Sequence, residues 1–582
     1  MPQKILAGRC ADAQLRGDLV EVKVDQVVLS RAPNRALAEA TALGLKKTPV
    51  ELAVAYDGTC VTDAASNAAL AARTPDTVAP EMTQSGILVA RPGIGFPAPV
   101  HLERFGSPAR LAVTDDPRLA SVGGAGMLSL VVSAGQLGQA LTLGTVSLRP
   151  PRSVQILLSG RMRPFVCARD VALELLRRGL GEVIQRIEVQ HRAPVILEFA
   201  GPSARLLSVA ERAVLCGIAP ELGAAAALFV SDEKTEVFLR DQRRSKAHRT
   251  LSPDPGAPCD DVISIDLGAV DPLLTDETGQ VRPVRDLAGK PVGQVILGGD
   301  SGATLRDMLA AAMLLKSKRV PPRLDFIVAP SSRQVLEVLG QSGALVDLIA
   351  TGARIVEPDR RVTSGEMYPP AAGQLSLRTA DREPKAPEGK SFVVASAETL
   401  AYAVATGTVG DPRSFKRPVR VTVPRALPTD DVLILRERRT EAPVAKRPVL
   451  PPSAPQVWGA GATLRLLEGC PPRGTEPRTD YALSLRTLEE VRRAAAEVSS
   501  EGCLRAVIAA FIPSGLVPIF AGAGVLALAA DSTVLQSLKG QETIAISAIT
   551  PATDGIVVGV TVNKTRVHFS WLAIGLERGW TV

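Results

Sequence analysis

The chain has 582 residues, of which 46% are hydrophobic and 22% are charged, and its formal net charge is +7 at pH 7. Because one domain usually takes roughly 100–200 residues, several domains are expected. The sequence has no long polar tract and no block of like charges, which argues against a disordered chain. The mild charge excess comes with only 3% aromatic residues, so nucleic-acid binding is not indicated.

Buried-strand runs alternate with helical patterns along the chain. The first strand-like run is VEVKVDQVVL at 20–29. Three strand–turn–helix units follow, and they are SVQILLSG with VCARDVALELLRRG, VGQVILGG with TLRDMLAAAMLLKSK, and LDFIVAP with SRQVLEVLGQSG. This alternation predicts an α/β fold with doubly wound parallel sheets.

The C-terminal third contains a linker-like segment and a long apolar stretch. Residues 416–458 include the proline- and cation-rich sequence RRTEAPVAKRPVLPPSAPQ, which is typical of an interdomain linker. A domain at 459–582 is expected to follow. Within it, residues 506–530 are long enough to cross a bilayer, but Pro513 and Pro518 would break a membrane helix. A buried strand, a short helix and a second buried strand are expected there, with no membrane association.

Cysteine and histidine spacing bears on compartment and metal binding. The seven cysteines form no C-x-x-C pair, and the first residues do not resemble a signal peptide. This pattern predicts a reduced, cytoplasmic protein. The four histidines are far apart, so no local zinc motif is present and no metal is predicted.

Seven segments carry a resemblance to a known family. They are HLERFGSP, GGAGML, ARDVALELLRR, ERAVLCGIAPELGA, LFVSDEKT, SLRTADRE and RAVIAAFIPSGLVPIFAGAGVLAL. In this order and spacing they resemble the aconitase family, the iron–sulfur hydro-lyases that include 3-isopropylmalate dehydratase. The resemblance implies three α/β domains, at 1–150, 151–258 and 259–415, and a swivelling fourth domain after the linker. It also implies an iron–sulfur cluster that three cysteine thiolates hold, with one open iron acting as Lewis acid.

The positions that the resemblance gives to the cluster ligands hold no cysteine in this chain. The family loop I-G-S-C-T-N corresponds to ILGGDSGATL, with Asp300 at the first thiolate. The family loop C-G-P-C corresponds to VEPDRRVTSGEMYPP, with Arg360 and Thr363 at the other two. Iron–sulfur coordination requires sulfur, and a protonated arginine repels iron. We therefore expect no cofactor, with Asp300 and Arg360 forming either a space-filling ion pair or a new polar catalytic pair.

The positions that the resemblance gives to proton transfer have changed as well. Residues of other types replace the family's aspartate, histidines and serines at Arg31, Thr59, Ala98, Pro117, Arg118 and Val491. The last of these lies in LEEVRRAA, which corresponds to the family's G-S-S-R-E-H loop. Groups that act as one unit are lost together, so the family chemistry is expected to be abolished and no catalytic residue is predicted.

Some charged positions of the family persist, and they are Asp116, Glu221, Arg382 and Arg492. If they share one cleft with the arginines at 31, 118 and 360, that cleft is suited to a carboxylate or phosphate ligand. Alternatively, acidic neighbours neutralise the arginines. His101 is expected to be a hydrogen-bonded structural residue.

Three functions stay open at this point, and the balance favours a protein that is not an enzyme. The first is a cluster-free, catalytically inactive aconitase homologue, a pseudoenzyme that binds or senses an anion or serves as a scaffold for an unidentified protein partner. The second is a cluster-independent hydro-lyase or isomerase that uses Asp116, Asp300 and the arginines of the cleft. The third is RNA binding through an open cleft, which the weak charge excess disfavours.

Overall fold

The computed structural model describes most of the chain. The described residues are 1–17, 19–31, 33–56, 81–300, 302–363, 365, 367–379, 392–429, 432–435, 462–471, 475–498, 502–523, 525–530, 532–546, 559–562 and 565–568. Within these ranges the strands form four large sheets and two small antiparallel pairs. Helices follow the parallel strands as predicted, and the predicted α/β class is confirmed.

The run 20–29 forms two strands, β1 (Val20–Lys23) and β2 (Gln26–Leu29). The prediction of one strand is therefore wrong. The break falls at Asp25, which is buried and accepts a hydrogen bond from the backbone N–H of Leu111 at 2.7 Å, while Arg9 pairs with its carboxylate. On either side of Asp25 the strands separate: β2 enters the first large sheet, whereas β1 pairs with another strand.

The first large sheet is six-stranded. Besides β2 it contains β3 (Leu52–Tyr56), β4 (Leu88–Ala90), β5 (Leu111–Thr114), β6 (Leu128–Val131) and an edge strand, β19 (Ile434–Leu435). Its order is β19-β4-β3-β2-β5-β6, parallel except for β19. The edge strand comes from the segment predicted as a linker, so part of that segment is attached to the first sheet. The separate antiparallel pair joins β1 to β7 (Thr145–Leu148).

Helices cover both faces of the first sheet. The N-terminal helices are α1 (Pro2–Ala7), α2 (Pro33–Ala42), α3 (Glu81–Gln84), α4 (Pro97–Arg104) and α5 (Ala134–Leu143), with a 3₁₀ helix at Pro117–Ala125. Side chains alternate along a strand, so Val27 and Leu29 pack with α2 and α5, whereas Val28 packs with α4 and the 3₁₀ helix.

The second sheet is parallel. Its strands are β8 (Arg152–Ser159), β9 (Val195–Ala200), β10 (Ala226–Phe229) and β11 (Asp261–Asp266), in the order β10-β9-β8-β11. Its helices are α6 (Ala168–Arg177), α7 (Leu180–His191), α8 (Val209–Gly217), α9 (Ala219–Leu222) and α10 (Glu233–Asp241).

The third sheet is also parallel and follows a small antiparallel pair, β12 (Leu273–Thr275) and β13 (Val281–Pro283). Its strands are β14 (Val292–Gly298), β15 (Asp325–Ala329), β16 (Arg354–Ile355), β17 (Leu375–Arg378) and β18 (Val393–Val394), in the order β16-β15-β14-β17-β18. Its helices are α11 (Leu305–Leu315), α12 (Arg333–Gln341), α13 (Ala344–Thr351), α14 (Arg360–Thr363) and α15 (Ala397–Thr406).

The C-terminal sheet is mixed and ends in an antiparallel part. Its strands are β20 (Ala462–Glu468), β21 (Tyr481–Leu485), β22 (Leu504–Ala509), β23 (Leu526–Ala529), β24 (Thr543–Ile546), β25 (Gly559–Val562) and β26 (Thr565–His568), in the order β23-β22-β21-β20-β24-β25-β26. Its helices are α16 (Leu488–Glu497), α17 (Val517–Gly522) and α18 (Ser532–Ser537).

The apolar stretch 506–530 runs from β22 through α17 to β23, so the predicted strand, short helix and strand are confirmed. Throughout the described residues, every helix falls short of the length and apolar character that a membrane span requires. The predicted domain boundaries and the swivelling of the C-terminal domain stay predictions.

Candidate functional site

The first and third sheets each reverse their winding at one place. In the first sheet the chain moves outward from β2 to β3 and β4, and then returns to β5 on the other side of β2. In the third sheet it moves outward from β14 to β15 and β16, and then returns to β17. Such a reversal opens a crevice at the carboxyl ends of the two adjoining strands, where open α/β sheets bind their ligands. We call these the first crevice, beyond β2 and β5, and the third crevice, beyond β14 and β17.

Hydrogen bonds to two aspartates shape the first crevice. The carboxylate of Asp115 accepts from the backbone N–H groups of Ser30 at 2.8 Å and Arg31 at 2.9 Å. The buried carboxylate of Asp116 accepts from Ser30 Oγ at 2.8 Å and from the N–H of Arg118 at 3.1 Å. These bonds fix the backbone from which Arg31 and Arg118 project. Asp116 therefore holds the turn, and its predicted contact with an anion stays a prediction.

Glycines shape the loop of the third crevice. Gly298 and Gly299 have φ angles of 111° and 92°, which glycine adopts without steric strain. At Gly302, a Cβ would lie 1.3 Å from the carbonyl oxygen of Thr379. Between these glycines, Asp300 has a side chain that is only 2% exposed. The glycines thus allow the close backbone approach that accompanies the burial of Asp300 in the crevice.

An ion pair joins the first crevice to the third. Nη1 of Arg118 lies 3.3 Å from Oδ2 of Asp300, and the Arg118 side chain is 28% exposed. The resemblance gives Asp300 the place of a cluster thiolate and Arg118 the place of a histidine. Although the two residues are far apart in sequence, they are in contact in the structure. A buried carboxylate depends on such a partner, because an unpaired buried charge is strongly destabilising.

The other two positions given to cluster ligands lie in α14. Thr363 is buried, and its carbonyl oxygen accepts a hydrogen bond from Arg378, the last residue of β17. For Arg360 the structure describes the backbone alone. The predicted pairing of Asp300 with Arg360 therefore stays a prediction.

Arg378 is a site residue that the sequence analysis missed. It is fully buried, and besides Thr363 it donates to Ser376 Oγ at 3.0 Å and to Gln294 Oε1 at 3.1 Å. Its guanidinium carbon lies 3.4 Å from the centre of the Phe392 ring, a cation–π contact. Burial lowers the pKa of Arg378 to about 9. This side chain ties α14 to β14 and β17. The sequence signal that could have revealed Arg378 is an arginine at a buried position of a strand.

The helix α16 of the C-terminal sheet lies against the first crevice. Nη2 of Arg31 donates to the carbonyl oxygen of Ala495 at 3.4 Å, and cations are favourable near the carboxyl end of a helix. On the same helix, Arg492 pairs with Glu489 at 3.6 Å, and its side chain is 10% exposed. Part of its charge is therefore balanced within the helix.

The segment LEEVRRAA, which the resemblance aligns with the family's G-S-S-R-E-H loop, lies in a helix. Thr487 and Glu490 form the capping box that starts this helix. Val491 lies within that helix and is buried in the apolar core of the C-terminal sheet. In this position Val491 faces the core, and its correspondence to a catalytic position of the family stays a prediction.

The remaining predicted positions have varied surroundings. Ala98 is buried in the core of the first sheet, and Pro117 begins the 3₁₀ helix. Glu221 is half-buried in α9. Nearby, a Cβ at Gly223 would lie 3.6 Å from Pro513, so this part of the second sheet adjoins the C-terminal sheet. The positions that fall outside the described residues are Thr59 and Arg382.

His101 is a hydrogen-bonded core residue, as predicted. Its Nε2 lies 2.8 Å from Gln26 Oε1, and its Nδ1 lies 3.2 Å from the hydroxyl of Tyr56. Burial and the nearby Arg244 charge lower the pKa of His101 to about 3. The ring is therefore neutral at physiological pH.

The donor groups at the predicted ligand positions do not fit an iron–sulfur cluster. Asp300 offers a carboxylate already paired with a guanidinium, and Thr363 offers a hydroxyl. Neither loop contains a cysteine. Because cluster irons are held by thiolates, these hard oxygen donors are unsuitable ligands.

Comparisons with known proteins found a family model and sequence relatives that match part of this chain. The model of the aconitase family (aconitate hydratase) matches residues 24–288. The chain is 29% identical over 330 residues to the 3-isopropylmalate dehydratase large subunit 2 of Archaeoglobus fulgidus, covering 56% of this chain and 77% of that protein. It is 28% identical over 317 residues to the probable methanogen homoaconitase large subunit of Methanosarcina mazei, covering 53% and 78%.

A solved structure, the holo-form of Thermococcus kodakaraensis aconitase X, matches with a TM-score of 0.34 and 10% identity, covering 69% of this chain and 90% of that one. The family model and these two relatives agree with the resemblance inferred from the motifs. Over residues 24–288, this chain is similar to the aconitase family.

Proposed function

We propose that this chain is a cluster-free aconitase homologue that is inactive as a hydro-lyase and binds a small carboxylate or phosphate anion between the first and third crevices. The observation that carries the proposal is the contact between Arg118 and Asp300. It puts an ion pair at two positions where the family places a histidine and a cluster thiolate. Effects of groups that act as a unit are lost together, so these replacements remove the family reaction.

The arginines of the cleft support anion binding. A guanidinium matches carboxylate and phosphate groups through paired N–H donors. Arg118 approaches Asp300 at 3.3 Å and keeps 28% of its side chain exposed, so part of the guanidinium faces solvent. Arg31 reaches a helix carbonyl. Asp115 and Asp116 are satisfied by N–H and O–H donors, which reduces their repulsion of an anion.

Thermal-shift measurements on the full chain test this proposal. Citrate, isopropylmalate and inorganic phosphate are the probes. A ligand at 100 times its Kd stabilises the folded state by about 2.7 kcal/mol, so at least one probe is expected to raise Tm with saturation. The variant Arg31→Met is expected to weaken that shift. Arg186→Met, which removes an arginine with a 63% exposed side chain near the second sheet, is the matched control. If all three probes leave Tm unchanged, the anion proposal fails.

A cluster-independent lyase or isomerase is the alternative, and the buried Asp300 beside Arg118 favours it. A carboxylate next to a guanidinium can accept a proton from a bound hydroxy acid. The test is hydration of unsaturated di- and tricarboxylates by the metal-free chain, followed as loss of their ultraviolet absorbance. Turnover that Asp300→Asn abolishes would establish the alternative and refute inactivity.

Two further proposals are that the chain binds RNA and that it binds a protein partner. Retention of the full chain on immobilised RNA at moderate salt would favour RNA binding, because a purely electrostatic contact weakens steeply with salt. Affinity capture with the purified chain addresses the partner. The cytoplasmic location also stays a prediction.

A further inference from the structure

Three helices begin at one buried point between the second and third sheets. They are α6, α11 and α15, and they bring together the thiol of Cys167, the carboxylate of Asp307 and the carboxylate of Glu398. Ligand atoms of the three side chains all lie within 4.8 Å of one another. The three residues are at most 6% exposed. This group, the Cys167 cluster, is separate from the residues proposed to bind an anion.

Glu398 differs from the other acids at this point. Asp170, also buried here, accepts from the N–H groups of Cys167 and Leu273, each at 2.9 Å. Asp307 accepts from the N–H of Thr304 at 2.9 Å. In contrast, Oε2 of Glu398 is buried and has no hydrogen-bond partner in the described part of the chain. An unsatisfied buried oxygen is costly and indicates a missing partner.

The cluster contains more acidic groups than cations. Burial, with the nearby Asp307 and Asp170, raises the pKa of Glu398 to about 8. Burial also raises the pKa of the Cys167 thiol well above its usual value. Arg306 contributes a cation, with Nη1 3.6 Å from Asp307. A bound cation would lower the energy of the ionised acids.

We propose that Cys167, Asp307 and Glu398 bind a divalent transition-metal ion, and that Zn²⁺ suits them best. One thiolate and two carboxylates are accepted zinc ligands, at about 2.0–2.3 Å, and a water completes four-coordination in an open zinc site. At neutral pH, binding displaces the thiol proton of Cys167 and the proton of Glu398 to solvent, since metal ligands are deprotonated when they coordinate. The three ligand charges are then balanced by the ion and Arg306.

A cavity beside the cluster provides a route for the ion. Its volume is about 340 Å³, and Glu398 and Arg306 are among its lining residues, together with Glu211 and Phe165. A metal site requires such an entry path in addition to its ligands. The cavity also has room for the water that fills the fourth position.

Titration of the full chain with Co²⁺ tests the proposal, because Co²⁺ takes the place of Zn²⁺ and reports a bound thiolate by charge-transfer absorption. One equivalent of Co²⁺ is expected to produce the band, and Zn²⁺ is expected to remove it. Cys167→Ala is expected to abolish the band, and Glu398→Gln to weaken Co²⁺ binding by at least about 100-fold, since even outer partners of a metal ligand contribute 10–100-fold.

Two other cysteines supply controls. Cys216 is buried like Cys167, and Cys259 is exposed, so Cys216→Ala and Cys259→Ser are expected to retain the band. Glu398→Gln keeps the shape of the side chain and removes a buried acid, so it provides the test of the metal site if Cys167→Ala does not fold. The proposal is overturned if the wild-type chain shows no charge-transfer band, which is the result expected of acids that only share protons. It is also overturned if the band survives in Cys167→Ala, or if Glu398→Gln binds Co²⁺ as tightly as the wild-type chain does.

Discussion

Replacement of Arg378 by methionine tests how α14 is held against the third sheet. The guanidinium donates to Thr363, Ser376 and Gln294 and stacks on Phe392. After the substitution, Ser376 Oγ still donates to Gln294 Oε1 at 2.8 Å, so these two retain a partner. The carbonyl of Thr363 loses its described donor.

The expected loss combines opposing terms. A hydrogen bond that involves a charged group contributes about 1.5–3 kcal/mol, and a desolvated cation–π contact contributes about 2 kcal/mol. Removal of the buried Arg378 charge offsets part of this loss, because apolar side chains that replace a buried ion pair can increase stability by about 1–4 kcal/mol. We expect Arg378→Met to destabilise the region of α14 by about 2 kcal/mol.

Hydrogen exchange is the suitable assay, because a chain with several sheets need not unfold in one step. A loss of about 2 kcal/mol increases amide exchange in the peptide containing Thr363 by about 30-fold. The matched control is Arg319→Met near the third sheet, whose exposed side chain donates to the carbonyl oxygen of Lys318 at 3.0 Å and whose loss is expected to cost at most about 0.5 kcal/mol. Unchanged protection of the Thr363 peptide in Arg378→Met would refute this reasoning.

Two further substitutions probe the fold around the site. Gly302→Ala would place a Cβ 1.3 Å from the Thr379 carbonyl oxygen, so Tm is expected to fall by several degrees. Gly340→Ala lies in α12 with no atom within 4 Å of the added Cβ, so Tm is expected to stay the same or rise, because alanine favours a helix more than glycine does. Equal falls in Tm for the two variants would contradict the geometry. Burial raises the pKa of Glu188 to about 7 from an ordinary 4.5, and Ser514 of the C-terminal sheet donates to it at 2.7 Å. The folded state then keeps this proton to higher pH than the unfolded state, so the contribution is present below about pH 4.5 and is lost as pH rises through about 7. In Glu188→Gln the fall in Tm between about pH 4.5 and 7 is expected to be smaller than in the wild-type chain. Identical pH profiles would show that Glu188 is not the group responsible.

The strand–helix alternation was predictable from sequence because each element carries its own periodicity. The runs at 292–298 and 305–315 became β14 and α11 as expected. The break at Asp25 was not predicted, because it depends on donors from Arg9 and Leu111 that fold back from elsewhere. Strand β19 was missed because two residues of a proline-rich segment pair with a distant edge.

The candidate site was predictable only where family motifs located it. The contact of Arg118 with Asp300 follows from positions that the motifs gave to one cleft. Arg378 had no such guide, since its role depends on the tertiary placement of Thr363. Motif spacing could not reveal the Cys167 cluster, because its three donor residues lie at the starts of three separate helices.

Anaerobic reconstitution with iron and sulfide, followed by visible absorption and by iron and acid-labile sulfide content, tests the central claim most directly. Because the described ligand positions, Asp300 and Thr363, supply no thiolate, the desalted chain is expected to hold no labile sulfide and to show no broad visible band. Iron without sulfide at the Cys167 cluster would leave that result intact. A stable visible band with stoichiometric iron and sulfide would contradict the claim that this chain is cluster-free.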